Sequence, residues 1–130
     1  MNNRSYFALG IMTGTSLDGI DLSLCVTDGK RRFKNIKTLY VSYKKHLRNE
    51  INDLIIRFDN SKHSIEDLIY LRRKISKEYV NAVQRFTDIN NHRIDIICIH
   101  GQTIYHDPLM KSSIQLCDGP YIANELKKKV

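Results

Sequence analysis

The chain has 130 residues, of which 42% are hydrophobic and 27% charged, and its formal net charge is +7. This length and composition predict one globular domain and argue against a membrane protein, because no apolar run approaches the about 18 residues that cross a bilayer. The basic clusters are scattered and not interleaved with aromatic residues. We therefore expect neither nucleic acid nor membrane among the partners.

The first part of the chain predicts three antiparallel strands in a meander. Residues 6–12 form an apolar run that breaks at Thr13, and residues 20–26 alternate between apolar and polar side chains. Such alternation is typical of a strand with one buried face. A turn at residues 28–29 leads into a third strand over residues 33–43.

The middle of the chain changes to helical spacing. Apolar residues over 47–58 predict one helix, and Ser64 with Asp67 resembles the start of a long amphipathic helix that ends at residues 90–91. A near-continuous apolar run over 94–99 then predicts a strand covered on both faces.

The last part of the chain predicts a loop around residues 107–108, a strand over 113–116, a turn at 118–120 and a helix over 121–128. The order is β-β-β-α-α-β-β-α, which predicts an α/β fold with a mixed sheet in a single domain, residues 1–130.

The three cysteines are widely spaced and lack a C-x-x-C pair, which fits neither a disulfide framework nor a zinc site. Cys25, Cys98 and Cys117 all have apolar neighbours, so we expect reduced core residues and a cytoplasmic location. No long apolar segment follows a basic start, so no signal peptide is expected.

The first candidate site is the turn over residues 13–19. Glycines at positions 10, 14 and 19 would let the backbone take positive φ and approach a ligand, and successive amides in such a turn form an anion-binding nest. The alternative is a plain hairpin turn. The segment is not a Walker P-loop, because no Gly-Lys-Ser/Thr follows it.

Polar side chains add to this candidate. Thr13, Thr15 and Ser16 supply hydroxyl donors for phosphate oxygens, and Asp18 or Asp21 could hold Mg²⁺ directly or through water.

The second candidate site follows the apolar run that ends at residue 99. Ligands of open α/β sheets bind beyond the carboxyl ends of the strands, and His100, Gln102 and Thr103 are placed there. Imidazole, amide and hydroxyl groups suit a polyhydroxylated substrate. The alternative is one histidine at the strand end and exposed loop residues after it. Asp118, before a Gly-Pro pair, is first of all a turn residue or helix cap.

Three segments together resemble the anhydro-N-acetylmuramic acid kinase family over the whole chain. They are Gly10-Ile-Met-Thr-Gly-Thr-Ser-Leu-Asp-Gly-Ile-Asp21, His100-Gly-Gln-Thr-Ile-Tyr-His-Asp-Pro108 and Ser113-Ile-Gln-Leu-Cys-Asp118. The resemblance implies an incomplete first lobe of the actin-like ATPase (ribonuclease H-like) fold. It also implies ATP-dependent conversion of 1,6-anhydro-N-acetylmuramic acid to N-acetylmuramic acid 6-phosphate, a step in peptidoglycan recycling.

The resemblance further assigns site residues and a cofactor, ATP with Mg²⁺. The ATP phosphates would lie against Gly14, Thr15, Ser16, Leu17, Asp18, Gly19, Ile20 and Asp21. The sugar would lie near His100, Gln102 and Thr103, and Asp18 or Asp21 could hold Mg²⁺ through water.

The chain also departs from the family pattern. Thr13 replaces a serine, Tyr105 stands where tryptophan is frequent, and Cys117 stands where glycine is common. The family's Asp-Phe-Arg motif, whose aspartate activates water, would lie beyond Val130 together with the second lobe. We therefore assign no catalytic residue to the 130 residues and expect the chain alone to be inactive and a poor ATP binder. The alternatives are a half-enzyme completed by a separate C-terminal chain, a homodimer, or a non-catalytic phosphate- or sugar-binding module.

Overall fold

A computed structural model describes residues 5–130 as a four-stranded mixed sheet, a β-hairpin and three helices. The elements are β1 (Tyr6–Thr13), β2 (Gly19–Thr27), β3 (Phe33–Ser42), α1 (Lys45–Asp59), α2 (Ile65–Ile89), β4 (Ile96–Ile99), β5 (Gln102–Asp107), β6 (Ser112–Leu116) and α3 (Gly119–Leu126). The α/β class and the mixed sheet are as the sequence predicts, and they are consistent with an incomplete actin-like lobe.

The sheet has the strand order β3-β2-β1-β4. The first three strands form the predicted antiparallel meander, in which Leu9 lies opposite Leu24. β4 then pairs with β1 in parallel, so Leu9 also lies opposite Ile97. β1 is therefore an inner strand, paired on both edges.

The core lies between one face of this sheet and the helices. Leu9, Leu22 and Ile97 point to that face and are fully buried, together with Ile75 and Phe86 of α2. The long helix begins at the predicted cap: the Ser64 hydroxyl accepts the Asp67 amide, and the Asp67 carboxylate accepts the Ser64 amide. This capping box satisfies backbone donors that would otherwise lack partners.

The opposite face of the sheet is open, which corrects two sequence predictions. β4 is not covered on both faces, because Ile96 and Cys98 are exposed while Ile97 between them is buried. The prediction of three core cysteines is wrong for Cys98, which is exposed, whereas Cys25 and Cys117 are half-buried and Cys117 packs against the core. The apolar composition of β4 reflects one buried face and one uncovered face.

The chain contains one strand more than the predicted order. Residues 102–107 form β5, to which the sequence prediction assigns no strand, and β5 pairs with β6 in an antiparallel hairpin. The hairpin packs on the main core through Ile104 and Leu116, which are both buried. Alternation of Gln102, Ile104 and His106 is the strand signal, although its buried positions mix polar and apolar residues.

α3 returns the chain to the outer edge of β4, where Lys129 forms a parallel bridge with Ile96. Within residues 5–130, no helix combines the length and apolar character that crossing a bilayer requires.

Candidate functional site

The two predicted sites meet at one edge of the sheet. β1 and β4 run parallel, so their carboxyl ends lie side by side. The turn over residues 14–18 follows β1, and His100 follows β4, with its amide donating to the Ile11 carbonyl at 3.1 Å. Such an edge is where open α/β sheets bind ligands.

Thr13 joins the two segments at the end of β1. Its hydroxyl donates to the Gly101 carbonyl at 3.1 Å and lies 3.0 Å from the Tyr79 hydroxyl. Thr13 is buried. Its side chain therefore fixes the base of the turn against the second segment and is not one of the exposed hydroxyls of the predicted phosphate site.

Gln102 forms the second link between the segments. Its amide nitrogen donates to the carbonyls of Gly14 at 3.1 Å and Thr103 at 3.2 Å, and its amide oxygen accepts the Tyr43 hydroxyl at 3.2 Å. Gln102 is fully buried. The structure thus places this predicted sugar-binding residue behind the site, where its side chain holds the turn in position.

Two tyrosines complete this buried polar cluster. Burial, the largest effect, raises the pKa of Tyr79 to about 12 in spite of hydrogen bonds to Thr13 and Tyr43. Burial also raises the pKa of Tyr43 far above its usual range, and the neighbouring Tyr79 adds to this. Both phenols stay protonated at neutral pH and act as hydrogen-bond donors. Helical spacing places Tyr79 on a buried face, but nothing in the sequence shows that its hydroxyl meets Thr13.

The conformation of the turn depends on a leucine. Leu17 has a φ of 57° and a buried side chain, and its amide donates to the Gly14 carbonyl at 3.3 Å. The positive-φ glycines of residues 5–130 are Gly29 and Gly101. The prediction of positive φ at positions 10, 14 and 19 is therefore wrong, and core packing of Leu17 keeps the turn in its left-handed conformation.

Gly19 is required for a different reason. A Cβ there would lie 2.4 Å from the Val41 carbonyl and 2.9 Å from the Ser42 Cα, so the backbone of β3 occupies that space. Gly10 is not so constrained, since its nearest neighbour would be the Ser23 carbonyl at 3.7 Å. Gly19 thus serves strand packing at the end of the turn.

The tip of the turn is polar and accessible. Thr15, Ser16 and Asp18 are exposed, and the Ser16 hydroxyl donates to the Asp18 carboxylate at 2.7 Å. This bond, followed by backbone amides of the turn, holds the pKa of Asp18 below its usual value. The tip therefore presents hydroxyl donors beside an ionised carboxylate.

The side chains of Leu17 and Ile20 point away from this tip into the core. Of the predicted phosphate-binding stretch, residues 17 and 20 are therefore available to a ligand only through their backbone.

Asp21 and His100 lie together on the open face of the sheet. Both line a groove of about 580 Å³ that also includes Gly10, Met12 and Cys98. Met12 pairs with Asp21 across β1 and β2, and the His100 Nδ1 lies 3.0 Å from the Gly101 carbonyl. Thr103 is half-buried on β5 opposite Gln115. The two candidate Mg²⁺ ligands are thus placed differently, Asp18 in the turn and Asp21 in the groove.

The few carboxylates at this site suit a cation such as Mg²⁺, which keeps most of its water ligands when it binds to a protein. Within residues 5–130, no group of three or more His, Cys, Asp or Glu side chains could hold a metal ion. Mg²⁺ in phosphate-transferring proteins retains several waters and uses one or two carboxylates with the substrate phosphates. Asp18, exposed and ionised, fits that role.

Asp118 is a helix cap, which is one of the two structural roles that the sequence predicts for it. Its carboxylate accepts the Tyr121 amide at 3.2 Å as the N-cap of α3. It also contacts Arg72 at 3.1 Å and Arg73 at 3.5 Å. Burial opposes ionisation, but these three partners outweigh it and hold the pKa of Asp118 below its usual value.

Comparison with known proteins agrees with this arrangement. The family model described as anhydro-N-acetylmuramic acid kinase matches residues 6–130, which include both segments of the site. The chain belongs to this family. The match takes in the turn, the histidine segment and the cap of α3, so all three motifs of the resemblance lie within it.

Individual relatives in the anhydro-N-acetylmuramic acid kinase family support the same family assignment. The anhydro-N-acetylmuramic acid kinase of Francisella tularensis subsp. novicida is 36% identical over 132 residues, which cover 95% of this chain. The kinase of the same name from Pelagibacter ubique is 34% identical over 134 residues, covering 98% of this chain. The chain spans 35% of the length of each relative.

Proposed function

We propose that this chain provides the first phosphate-binding segment and part of the sugar site of an anhydro-N-acetylmuramic acid kinase. The reaction would use ATP and Mg²⁺ to convert 1,6-anhydro-N-acetylmuramic acid to N-acetylmuramic acid 6-phosphate. One observation carries the proposal: the Gln102 amide donates to the Gly14 carbonyl at 3.1 Å. This bond joins a turn with exposed donors to the segment that follows β4.

The residues of the turn would bind the nucleotide. Thr15 would donate to phosphate oxygens, Ser16 would do so on giving up its hydrogen bond to Asp18, and Asp18 would hold Mg²⁺ through its water ligands. The bound cation supplies charge neutralisation to the transferring phosphoryl group. Asp21 and His100 would contact the sugar in the groove on the open face, where carboxylate and imidazole offer both acceptors and donors to its hydroxyl groups.

The 130 residues by themselves would not complete the reaction. Phosphoryl transfer depends on closure around both substrates and on a positioned group that activates the nucleophile. We assign no such group to these residues, and the matched relatives are about three times as long. The expected behaviour of the chain alone is weak phosphate binding without turnover.

Nuclear magnetic resonance with ¹⁵N-labelled chain tests this proposal. Added Mg-ATP should shift the amides of residues 14–19, and Ser16→Glu should abolish the shift by charge repulsion. Ser112→Glu, an exposed serine on the hairpin, is the matched control and should leave the shift unchanged. Shifts confined to other parts of the chain, or none at millimolar Mg-ATP, would overturn the phosphate assignment.

Turnover is measured separately, by incubating the purified chain with Mg-ATP and 1,6-anhydro-N-acetylmuramic acid. We expect no phosphorylated sugar. Its formation by the chain alone would contradict the proposed need for a further part of the kinase.

A further inference from the structure

A methionine, a cysteine and a histidine are neighbours on the open face of the sheet. The parallel register of β1 and β4 sets Gly10 beside Cys98. The register continues past the end of β4, where the His100 amide donates to the Ile11 carbonyl at 3.1 Å. The next position on each chain segment sets Met12 beside His100, with their Cα atoms about 5 Å apart, the usual distance between strands.

The three side chains share one accessible groove. Cys98 and His100 are two residues apart on an extended segment, so both point to the open face. Gly10 lies between Cys98 and Met12 on this face and has no side chain that would separate them. Met12 is 59% exposed, Cys98 and His100 are also exposed, and all three line the groove of about 580 Å³. An ion in this groove can therefore reach two sulfur atoms and an imidazole.

The imidazole of His100 is held in the form that a metal ligand requires. Its Nδ1 lies 3.0 Å from the Gly101 carbonyl. A carbonyl oxygen only accepts hydrogen bonds, so Nδ1 carries the hydrogen, and the neutral ring keeps its free lone pair on Nε2. Histidines that bind metals usually donate their other ring nitrogen to a carbonyl or carboxylate in this way.

The chemistry of these donors selects a soft cation. Thiolate and thioether sulfur favour Cu(I), whereas Mg²⁺ and Ca²⁺ take oxygen ligands. Across residues 5–130, no three His, Cys, Asp or Glu side chains are grouped to hold a metal, so Zn²⁺ lacks the ligands of its structural sites. The third ligand here is the thioether of Met12, which is a ligand for Cu(I).

We propose that Met12, Cys98 and His100 form a Cu(I)-binding site through the two sulfur atoms and Nε2. The Cys98 thiol releases its proton to water as the copper–sulfur bond forms, so the affinity should rise with pH. Copper enters and stays as Cu(I), and no electron is transferred. Asp21 lines the same groove and adds a negative charge that favours a cation. The site is independent of the proposed kinase function, because it needs neither ATP nor sugar.

A titration of the purified chain with Cu(I) under anaerobic conditions tests this site. Bathocuproine disulfonate, a coloured Cu(I) chelator, competes with the chain and reports the affinity. The Met12 methyl and the His100 ring signals are followed by nuclear magnetic resonance and should shift as Cu(I) binds. Met110, which is exposed at the tip of the β5–β6 hairpin, is the internal control, and its methyl signal should not move. The same concentration of Zn²⁺ should leave the Met12 methyl signal unchanged.

Variants separate this site from the other sulfur atoms of the chain. Cys98→Ser and Met12→Leu change exposed side chains and should each weaken Cu(I) binding by about tenfold or more. Met110→Leu is the matched control for the methionine. Cys25→Ser is the control for the cysteine, because the half-buried Cys25 thiol donates to the Ala8 carbonyl. Both controls should keep the affinity of the wild type, and amide spectra verify the fold of each variant.

Three results would overturn the inference. The first is Cu(I) that the chain does not withdraw from the chelator, or that binds while the Met12 methyl and His100 ring signals stay unchanged. The second is an equal loss of affinity in the control variants and in Cys98→Ser and Met12→Leu. The third is an equal response to Zn²⁺, which would exclude selection of a soft cation. The response of the phosphate turn to Mg-ATP is measured without copper, so the two proposals fail independently.

Discussion

Gln102 shows that a residue next to a binding site can hold the backbone of the site in position without facing the ligand itself. The sequence places it with His100 and Thr103 as a group for the sugar, since all three follow the same strand. The structure buries it completely and directs its amide to the Gly14 carbonyl. Chain order reveals that a polar residue follows a strand, but not which side of the backbone its side chain occupies. Its partner Tyr43 is unpredictable for the same reason, and so is the contact between Tyr79 and Thr13.

Gln102→Leu should lower the free energy of unfolding by about 2–3 kcal/mol, because it leaves the buried Tyr43 hydroxyl without its Gln102 acceptor and removes one of the two donors to the Gly14 carbonyl. Gln115→Leu is the control on the same hairpin, where the amide bonds only to the exposed Ser113 hydroxyl, and should change it by less than about 0.5 kcal/mol. Urea unfolding measures both. Equal losses of unfolding free energy in Gln102→Leu and Gln115→Leu would contradict the proposed role of Gln102 in holding the turn in position.

The glycines of the first motif give a second prediction. Gly19→Ala should lower the free energy of unfolding by about 2 kcal/mol or more, since its Cβ would meet the Val41 carbonyl at 2.4 Å. Gly10→Ala, whose Cβ would meet its nearest neighbour at 3.7 Å, should be tolerated. Thermal unfolding followed by circular dichroism compares the stability of the two variants. A Gly19→Ala variant as stable as the wild type would contradict this prediction, because it would mean that the β3 backbone moves to make room for the Cβ.

At the scale of elements, local signals predict the helices well. The Ser64 capping box and the apolar spacing after it define α2, and Asp118 caps α3 as expected. The sequence prediction assigns no strand to β5, because its buried positions, Gln102 and Ile104, do not share one polarity. β4 was predicted to be covered on both faces because composition cannot tell an uncovered apolar face from a buried one.

The cap of α3 predicts a pH dependence. The pKa of Asp118 is lowered from 3.8, so its contribution to stability is complete above about pH 4 and is lost as the pH falls through the lower folded-state pKa. Asp118→Ala should cost about 1–2 kcal/mol at pH 7, and Asp118→Asn, which retains a capping side chain, about 1 kcal/mol or less.

Urea unfolding at pH 7 and pH 2.5 checks this dependence. The difference in unfolding free energy between the wild type and Asp118→Asn should shrink at the lower pH, because the wild-type carboxylate takes up protons as the pH falls toward its lowered pKa. A difference that persists or grows there would contradict an ionised, ion-paired cap. Asp95→Asn is unsuitable as a control because Asp95 bonds to the Phe7 amide, whereas Asp53, on the exposed side of α1, provides a matched Asp→Asn change.

At the scale of the whole molecule, the sequence predicts the class, the mixed sheet and the family. The three motifs are spread over the chain, so they specify the family although each alone is short. The open face of the sheet is not predictable from these residues. Whether an apolar strand is covered depends on what packs against it, and about two thirds of the sequence of each matched relative lies outside the part that this chain spans.

The parallel pairing of β1 with β4 also sets the order in which the protein forms during synthesis. Leu9 cannot pair with Ile97 until residue 97 has been synthesised, whereas β1, β2 and β3 are close in sequence and pair early. Both hydrogen bonds that fix the phosphate turn, from Thr13 to Gly101 and from Gln102 to Gly14, span 88 residues. Contacts of such separation form late. A ribosome-bound chain that stops before residue 101 therefore lacks the partners of both hydrogen bonds, and neither can form until the start of the β5-β6 hairpin has been synthesised.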